Sequence, residues 1–106
     1  MNIYSRLIMM ESLFVEFVGT FVFISVIFRF ASQTWGAFAI GLALAAVILF
    51  GGYASGGHFN PAVSLAMWVA DSIPTSKLAG YVVVQLLGGY CAFVLNAKQL
   101  TPAIFA

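Results

Sequence analysis

Between Phe30 and Gly57 the chain carries no charged side chain. A helix rises about 1.5 Å per residue, so roughly 20 apolar residues cross the ~30 Å hydrocarbon core of a bilayer. The part of this run from about 35 to 53, Trp35 to Tyr53, predicts one spanning helix. Two further runs flank it. One covers about 9–28, from Met9, contains Glu11 and Glu16, and closes at Arg29; the other covers about 78–96 between Lys77 and Lys98. With 63% hydrophobic and 7% charged residues in a chain of 106, a water-soluble globular fold is excluded. Rings near segment ends, at Tyr4, Phe30, Trp35, Tyr53, Trp68 and Tyr81, fit an interfacial aromatic belt.

Four Lys plus Arg against three Asp plus Glu give a net charge of +1. That leaves no basic stripe for nucleic acid and no polybasic run for anionic lipid. Cys91 and His58 are the sole cysteine and histidine, too few for a disulfide framework or a zinc site, so Cys91 reads as a packing residue and no metal or cofactor is expected. Nothing resembles a nucleophile beside a base, a carboxylate pair or a phosphate loop, so an enzyme is not expected. The first run ends without a small-residue cleavage pattern, which argues against a removable signal peptide. Small residues four apart, Gly41 with Ala45 and Gly88 with Ala92, predict close helix packing in lipid.

The region of about 54–70 is of another kind. Ser55, Gly56, Gly57, His58, Phe59, Asn60, Pro61 and Ala62 lead into an apolar tail that stops before Asp71, Ser72 and Pro74. A helix from Asn60 to Val69 would be roughly 15 Å long, half the core, which predicts a re-entrant segment. Irregular backbone at that depth survives only against protein or beside water. Glycines at 56 and 57 would leave carbonyls uncovered as a row of acceptors, with His58 continuing it. Asn60 and Pro61 suit the N-cap and first position of the half-helix. Its positive dipole end would orient a water oxygen and disfavour cations, which favours neutral permeants over ions.

Three polar residues in this apolar setting have competing uses. His58 is either a packing histidine or a group beside the passage. Glu16 could snorkel to the interface, brace loop amides, or carry a proton as in small dual-topology exporters. Gln85 is costly in a span unless bonded, so a hydrogen bond to loop backbone is expected.

The string Ser55-Gly-Gly-His-Phe-Asn-Pro-Ala-Val63 resembles the first signature of the aquaporin and glycerol-facilitator (major intrinsic protein) family. The resemblance continues in Glu16-Phe-Val-Gly-Thr20 and in Tyr81-Val-Val-Val-Gln-Leu-Leu-Gly-Gly89, in order along nearly the whole chain. It implies an all-α membrane protein with three transmembrane helices and one re-entrant half-helix, a single N-terminal half-repeat over 1–106. Asn60, Pro61 and Ala62 would form the pore motif, carbonyls near Gly56, Gly57 and His58 would line the path, and Glu16 and Gln85 would brace the loop. Ile40 falls where the family places a second-span constriction residue, aromatic in strict water channels. Val63 follows the motif directly, whereas the family's filter arginine follows a second motif. An aliphatic pair there implies passage of small neutral solutes such as glycerol beside water.

Family members carry two inverted repeats, so one repeat implies a pore completed by association, as a homo-oligomer whose copies can be antiparallel. Arg6 and Lys77 would lie on one side and Arg29 and Lys98 on the other, an even balance that leaves both insertions open. Two alternatives stay open: a non-conducting or truncated half that associates with a full-length aquaporin, and a small dual-topology proton-coupled exporter using Glu16.

Overall fold

The computed structural model describes residues 1–100. Among these residues four helices follow one another, α1 (Ile3–Phe30), α2 (Gly36–Ser55), α3 (Pro61–Val69) and α4 (Thr75–Asn96), and a 3-10 turn covers Ala97–Gln99. Among the described residues there is no strand. Three helices, α1, α2 and α4 with its trailing turn, are long and apolar enough to cross a membrane. α3 has nine residues and so reaches about 14 Å, half the core. The chain is an all-α, multi-pass integral membrane protein.

Helix limits follow local chemistry that hydropathy does not register. α1 starts well before the apolar run because Asn2 caps it, its side chain accepting from Ser5 N at 2.8 Å. α4 starts at Thr75 directly after Pro74, whose carbonyl accepts from Lys77 N and Leu78 N at 3.1 Å each. α2 runs through Gly51 and Gly52 and ends where Gly56 turns left-handed, φ 91°, with its N–H on the Gly52 carbonyl at 2.8 Å.

α1 stands between the other two spans. Against α2 it is antiparallel: Ser12 Oγ donates to the Ala54 carbonyl at 2.9 Å near one end, and the rings of Phe30 and Trp35 pair at 5.1 Å at the other. Against α4 it is parallel: Gly80 faces Leu13, Gly88 faces Phe17 and Thr20, and Asn96 bonds Arg29. Parallel neighbours need a connection that returns to its starting side, and the re-entrant segment supplies it. α3 lies against α4. Arg6 and Lys77 therefore share one end of the bundle, and Arg29 and Lys98 the other.

The interior is polar and the exterior apolar, the reverse of a soluble protein. Among the described residues, eight of the buried side chains are polar or charged, including Glu16, Gln85 and Asn96, whereas the buried hydrophobic set is Phe59, Tyr81 and Ala92. Large apolar groups such as Leu49 and Phe50 face outward. In lipid this is favourable, because tails accept apolar surface and only protein can satisfy the polar groups.

The two small-residue pairs part company. A Cβ on Gly88 would lie 2.7 Å from the Phe17 carbonyl oxygen, so α1 and α4 meet backbone to backbone there, with Ala92 buried one turn on. Gly41 and Ala45 do not pack within the chain: both are exposed, and a Cβ on Gly41 would meet nothing within 4 Å. α2 meets α1 at Gly51, where a Cβ would reach Val15 at 2.6 Å. At roughly 100° per residue, Gly41 and Ala45 lie about 80° to 120° around the helix from that contact. Tyr81 is also corrected. It is wholly buried rather than interfacial, its hydroxyl donating to the Ser55 carbonyl.

Candidate functional site

The re-entrant loop is built around one carboxylate. Gly56 and Gly57, at φ 91° and 70°, reverse the chain and turn the next amides inward, where they would be buried without acceptors. Glu16 meets them from α1: its Oε2 accepts from Ser55 Oγ at 2.6 Å and His58 N at 3.0 Å, and its Oε1 from Phe59 N at 2.7 Å and Gln85 Nε2 at 2.9 Å. A carboxylate accepts about four hydrogen bonds, so both oxygens are saturated. Snorkelling is excluded by complete burial.

A second tier fixes the first. Gln85 Nε2 also donates to Ser64 Oγ at 2.9 Å, and Ser64 Oγ lies 2.8 Å from His58 Nδ1. The His58 ring stands edge-on to Tyr81, centroids 5.1 Å apart. His58 is thus largely buried, its Nδ1 paired with Ser64 Oγ and its ring packed against Tyr81. Gly56 is exposed and Gly57 half-exposed. Phe59 takes φ 51°, which costs a non-glycine residue on the order of 1 kcal/mol. The hydrogen bond its N–H donates to Glu16 and its buried ring offset that, and the ring is admitted by Gly19, where a Cβ would come 2.0 Å from Phe59 Cε1.

Asn60 is the N-cap of α3, its Oδ1 accepting from Ala62 N at 2.8 Å, with Pro61 in the first helical position. Because Oδ1 faces the helix, the amide nitrogen of the same planar group is directed away from it. Asn60 and Ala62 are exposed. Asn60 opens on a groove of about 410 Å³ between α1 and α4, walled by Thr20, Ile24, Leu86 and Tyr90. Two buried atoms of this wall, Thr20 Oγ1 and Gln85 Oε1, have no partner among the described residues.

Glu16, Gln85, Gly56, Gly57, His58, Asn60, Pro61 and Ala62 thus belong to one assembly, and Ile40 and Val63 do not join each other. Ile40 precedes Ser55 by 15 residues, roughly 22 Å along α2, whereas Val63 lies in the first turn of α3. Four members have no role assigned from the sequence, Ser64, Gly19, Phe59 and the Ser55 side chain, and Tyr81 has a different one. A signal existed in the spacing of Tyr81, Gln85, Gly88, Ala92 and Asn96, which is one helix face made of small and polar residues.

Three spanning helices with a glycine-hinged, carboxylate-braced loop and an Asn-capped half-helix define a re-entrant membrane repeat. The family model described as major intrinsic protein matches residues 31–103, and the chain belongs to that family. It is 32% identical over 100 residues to Aquaporin-2 of Rhizopus delemar, covering 84% of this chain and 32% of the relative. Aquaglyceroporin-2 of Rhizophagus irregularis is 33% identical over 103 residues, covering 87% and 33%. Aquaporin Z of Photorhabdus laumondii is 34% identical over 95 residues, covering 79% and 41%. The chain therefore spans about a third of the length of the first two relatives and 41% of the third.

Proposed function

We propose that the chain is half of a membrane channel for water and small neutral solutes such as glycerol, its pore completed by association of half-repeats. The observation that carries this reading is the placement of Asn60. The Glu16 brace holds the glycine loop so that Asn60 caps a half-depth helix with its amide exposed. A helix N-terminus carries about half a positive charge, and the amide hydrogens add two donors aimed the same way. Such a site binds the oxygen of water or an alcohol and repels cations. Carbonyls at Gly56, Gly57 and His58 would hand the permeant along. The open groove beside Asn60, with its two unpartnered polar atoms, supports completion by a second half. Names of relatives that include both aquaporin and aquaglyceroporin fit water and glycerol alike.

The completing half is read as a second copy inserted the other way. Two positive side chains at each end of the bundle give no preferred orientation. Inverted copies would rebuild from two chains the inverted repeat that the family fuses in one. In that dimer Ile40 and Val63 would form an apolar throat. Glu16 is read as a brace and not as a transport group, since its oxygens are saturated and buried.

Stopped-flow osmotic shrinkage of proteoliposomes holding only the purified chain tests the proposal. Water flux above that of protein-free vesicles, lost in Asn60→Asp, is expected. Flux no faster than in empty vesicles, with the protein inserted and helical, would overturn self-completion in favour of a half that needs a full-length partner.

A further inference from the structure

At the end of the bundle remote from the re-entrant loop, Arg29 sits in the last turn of α1 and is exposed. Its Nε donates to Asn96 Oδ1 at 3.0 Å. Asn96 is fully buried, and its amide nitrogen is itself used, donating to the Ala92 carbonyl at 2.7 Å and to Ser25 Oγ at 3.3 Å. The Asn96 oxygen is thereby oriented by α4 and α1 together, and it fixes the guanidinium through one of its five N–H groups. The forked outer face, with about four N–H groups, is left to turn outward. An arginine serving only the carbonyls of its own helix end would need no partner in α4. Its partner is neutral, so the charge is undiminished. The chain's acidic side chains stand elsewhere: Glu11 and Asp71 toward the other end, and Glu16 in the middle.

Arg29 opens on a pocket of about 290 Å³ that also takes in Ser32, Gln33 and Gln99, which add a hydroxyl and two amides. Its depth can be worked out. Arg29 lies 13 residues beyond Glu16, roughly 20 Å along α1. If the start of the half-helix marks mid-membrane, half the core is about 15 Å, and Arg29 lies about 5 Å outside it, in the headgroup layer. The Phe30 and Trp35 ring pair beside it, with Trp35 52% exposed, has the character of that layer.

We propose that this pocket binds the phosphate of an anionic phospholipid headgroup, with Arg29 as the charged, pre-oriented donor and Ser32, Gln33 and Gln99 as neutral donors around it. The recognition is by one fixed fork matched to phosphate geometry, and so needs no polybasic run. Native mass spectrometry of the chain, delipidated and then titrated with phosphatidylglycerol or phosphatidylcholine, is the test. Phosphatidylglycerol should be retained over phosphatidylcholine, and Arg29→Gln should weaken its retention roughly tenfold, the equivalent of one charge-assisted bond. Lys98→Gln, which removes an exposed cation at the same end, should change it by no more than about twofold. Arg29→Lys keeps the charge but not the fork and should fall between, which guards against a fold effect of Gln. Equal losses in Arg29→Gln and Lys98→Gln, or no preference for phosphatidylglycerol, would overturn the proposal. So would inorganic phosphate displacing the lipid at millimolar level, which would make the pocket a free-phosphate site.

Discussion

Removing the Glu16 carboxylate is the sharpest perturbation of the candidate site, and its size can be worked out donor by donor. In Glu16→Ala, Ser55 can rotate its hydroxyl while still accepting from Gly57 N, and Gln85 keeps Ser64. The His58 and Phe59 amides have no substitute. Each orphaned buried amide costs about 1–3 kcal/mol, so the loop loses about 2–6 kcal/mol. At 1.4 kcal/mol per factor of ten, that is roughly a 30-fold to 10⁴-fold rise in local opening. The low end is expected, because an opened loop inside a membrane protein finds other partners. In Glu16→Gln the new NH₂ fits best toward Ser55, which can turn to accept, leaving only the His58 amide opposed, while the cost of burying a charge disappears. The loss should then be about 1–3 kcal/mol. Hydrogen exchange of the His58 and Phe59 amides in nanodiscs, with a mid-α1 amide as internal reference, reads this ranking directly. Unchanged exchange at both amides in a folded Glu16→Ala protein would refute the bracing argument.

Five other outcomes follow from the same geometry. Gly88→Ala forces a Cβ to 2.7 Å from the Phe17 carbonyl, backbone that cannot step aside, and should lower resistance to SDS unfolding by about 1–3 kcal/mol. Gly41→Ala meets open space and should be neutral or up to about 1 kcal/mol stabilising in the same titration. Gly19→Ala should displace the Phe59 ring and reduce water flux, with partial recovery when combined with Phe59→Leu. Asn60→Ala should fray the first turn of α3 by about 1 kcal/mol in exchange measurements at Ala62, whereas Asn60→Asp keeps the cap and loses only conduction. In a conducting assembly, Ile40→Phe should reduce glycerol flux more than water flux.

The half-helix was the most legible element because its determinants are local: a capping Asn, a Pro in the first turn and nine residues that cannot cross a bilayer. The brace was half legible. Glu16 and Gln85 announce themselves because each is expensive in hydrocarbon, but their partners Ser55 and Ser64 are ordinary residues 39 and 21 positions away, and Tyr81 reaches the Ser55 carbonyl from 26 positions away. Tyr81 suggested an interfacial ring only because apolarity fades near Lys77, whereas α4 begins two residues before Lys77 and carries Tyr81 inward. Gly41 with Ala45 and Gly88 with Ala92 have the same spacing and opposite surroundings. Spacing says that backbones can approach, but the rotation of each helix against its neighbour decides whether they do.

That rotation and the end charges combine in a prediction about assembly. Arg6 and Lys77 at one end balance Arg29 and Lys98 at the other, so small changes should fix insertion. Arg6→Gln with Thr34→Lys leaves one positive side chain at the first end and puts three at the second; Lys98→Gln with Ser76→Lys does the reverse. Thr34, Ser76, Arg6 and Lys98 are all exposed, so neither pair should disturb the interior. If the pore needs inverted partners, each pair alone should insert one way and conduct no better than empty vesicles. Coexpression of the two should restore flux, because only then do opposite orientations meet. Full flux from either pair alone, with uniform insertion shown by terminal reporters, would mean that parallel copies suffice and that the even charge count plays no part in building the pore.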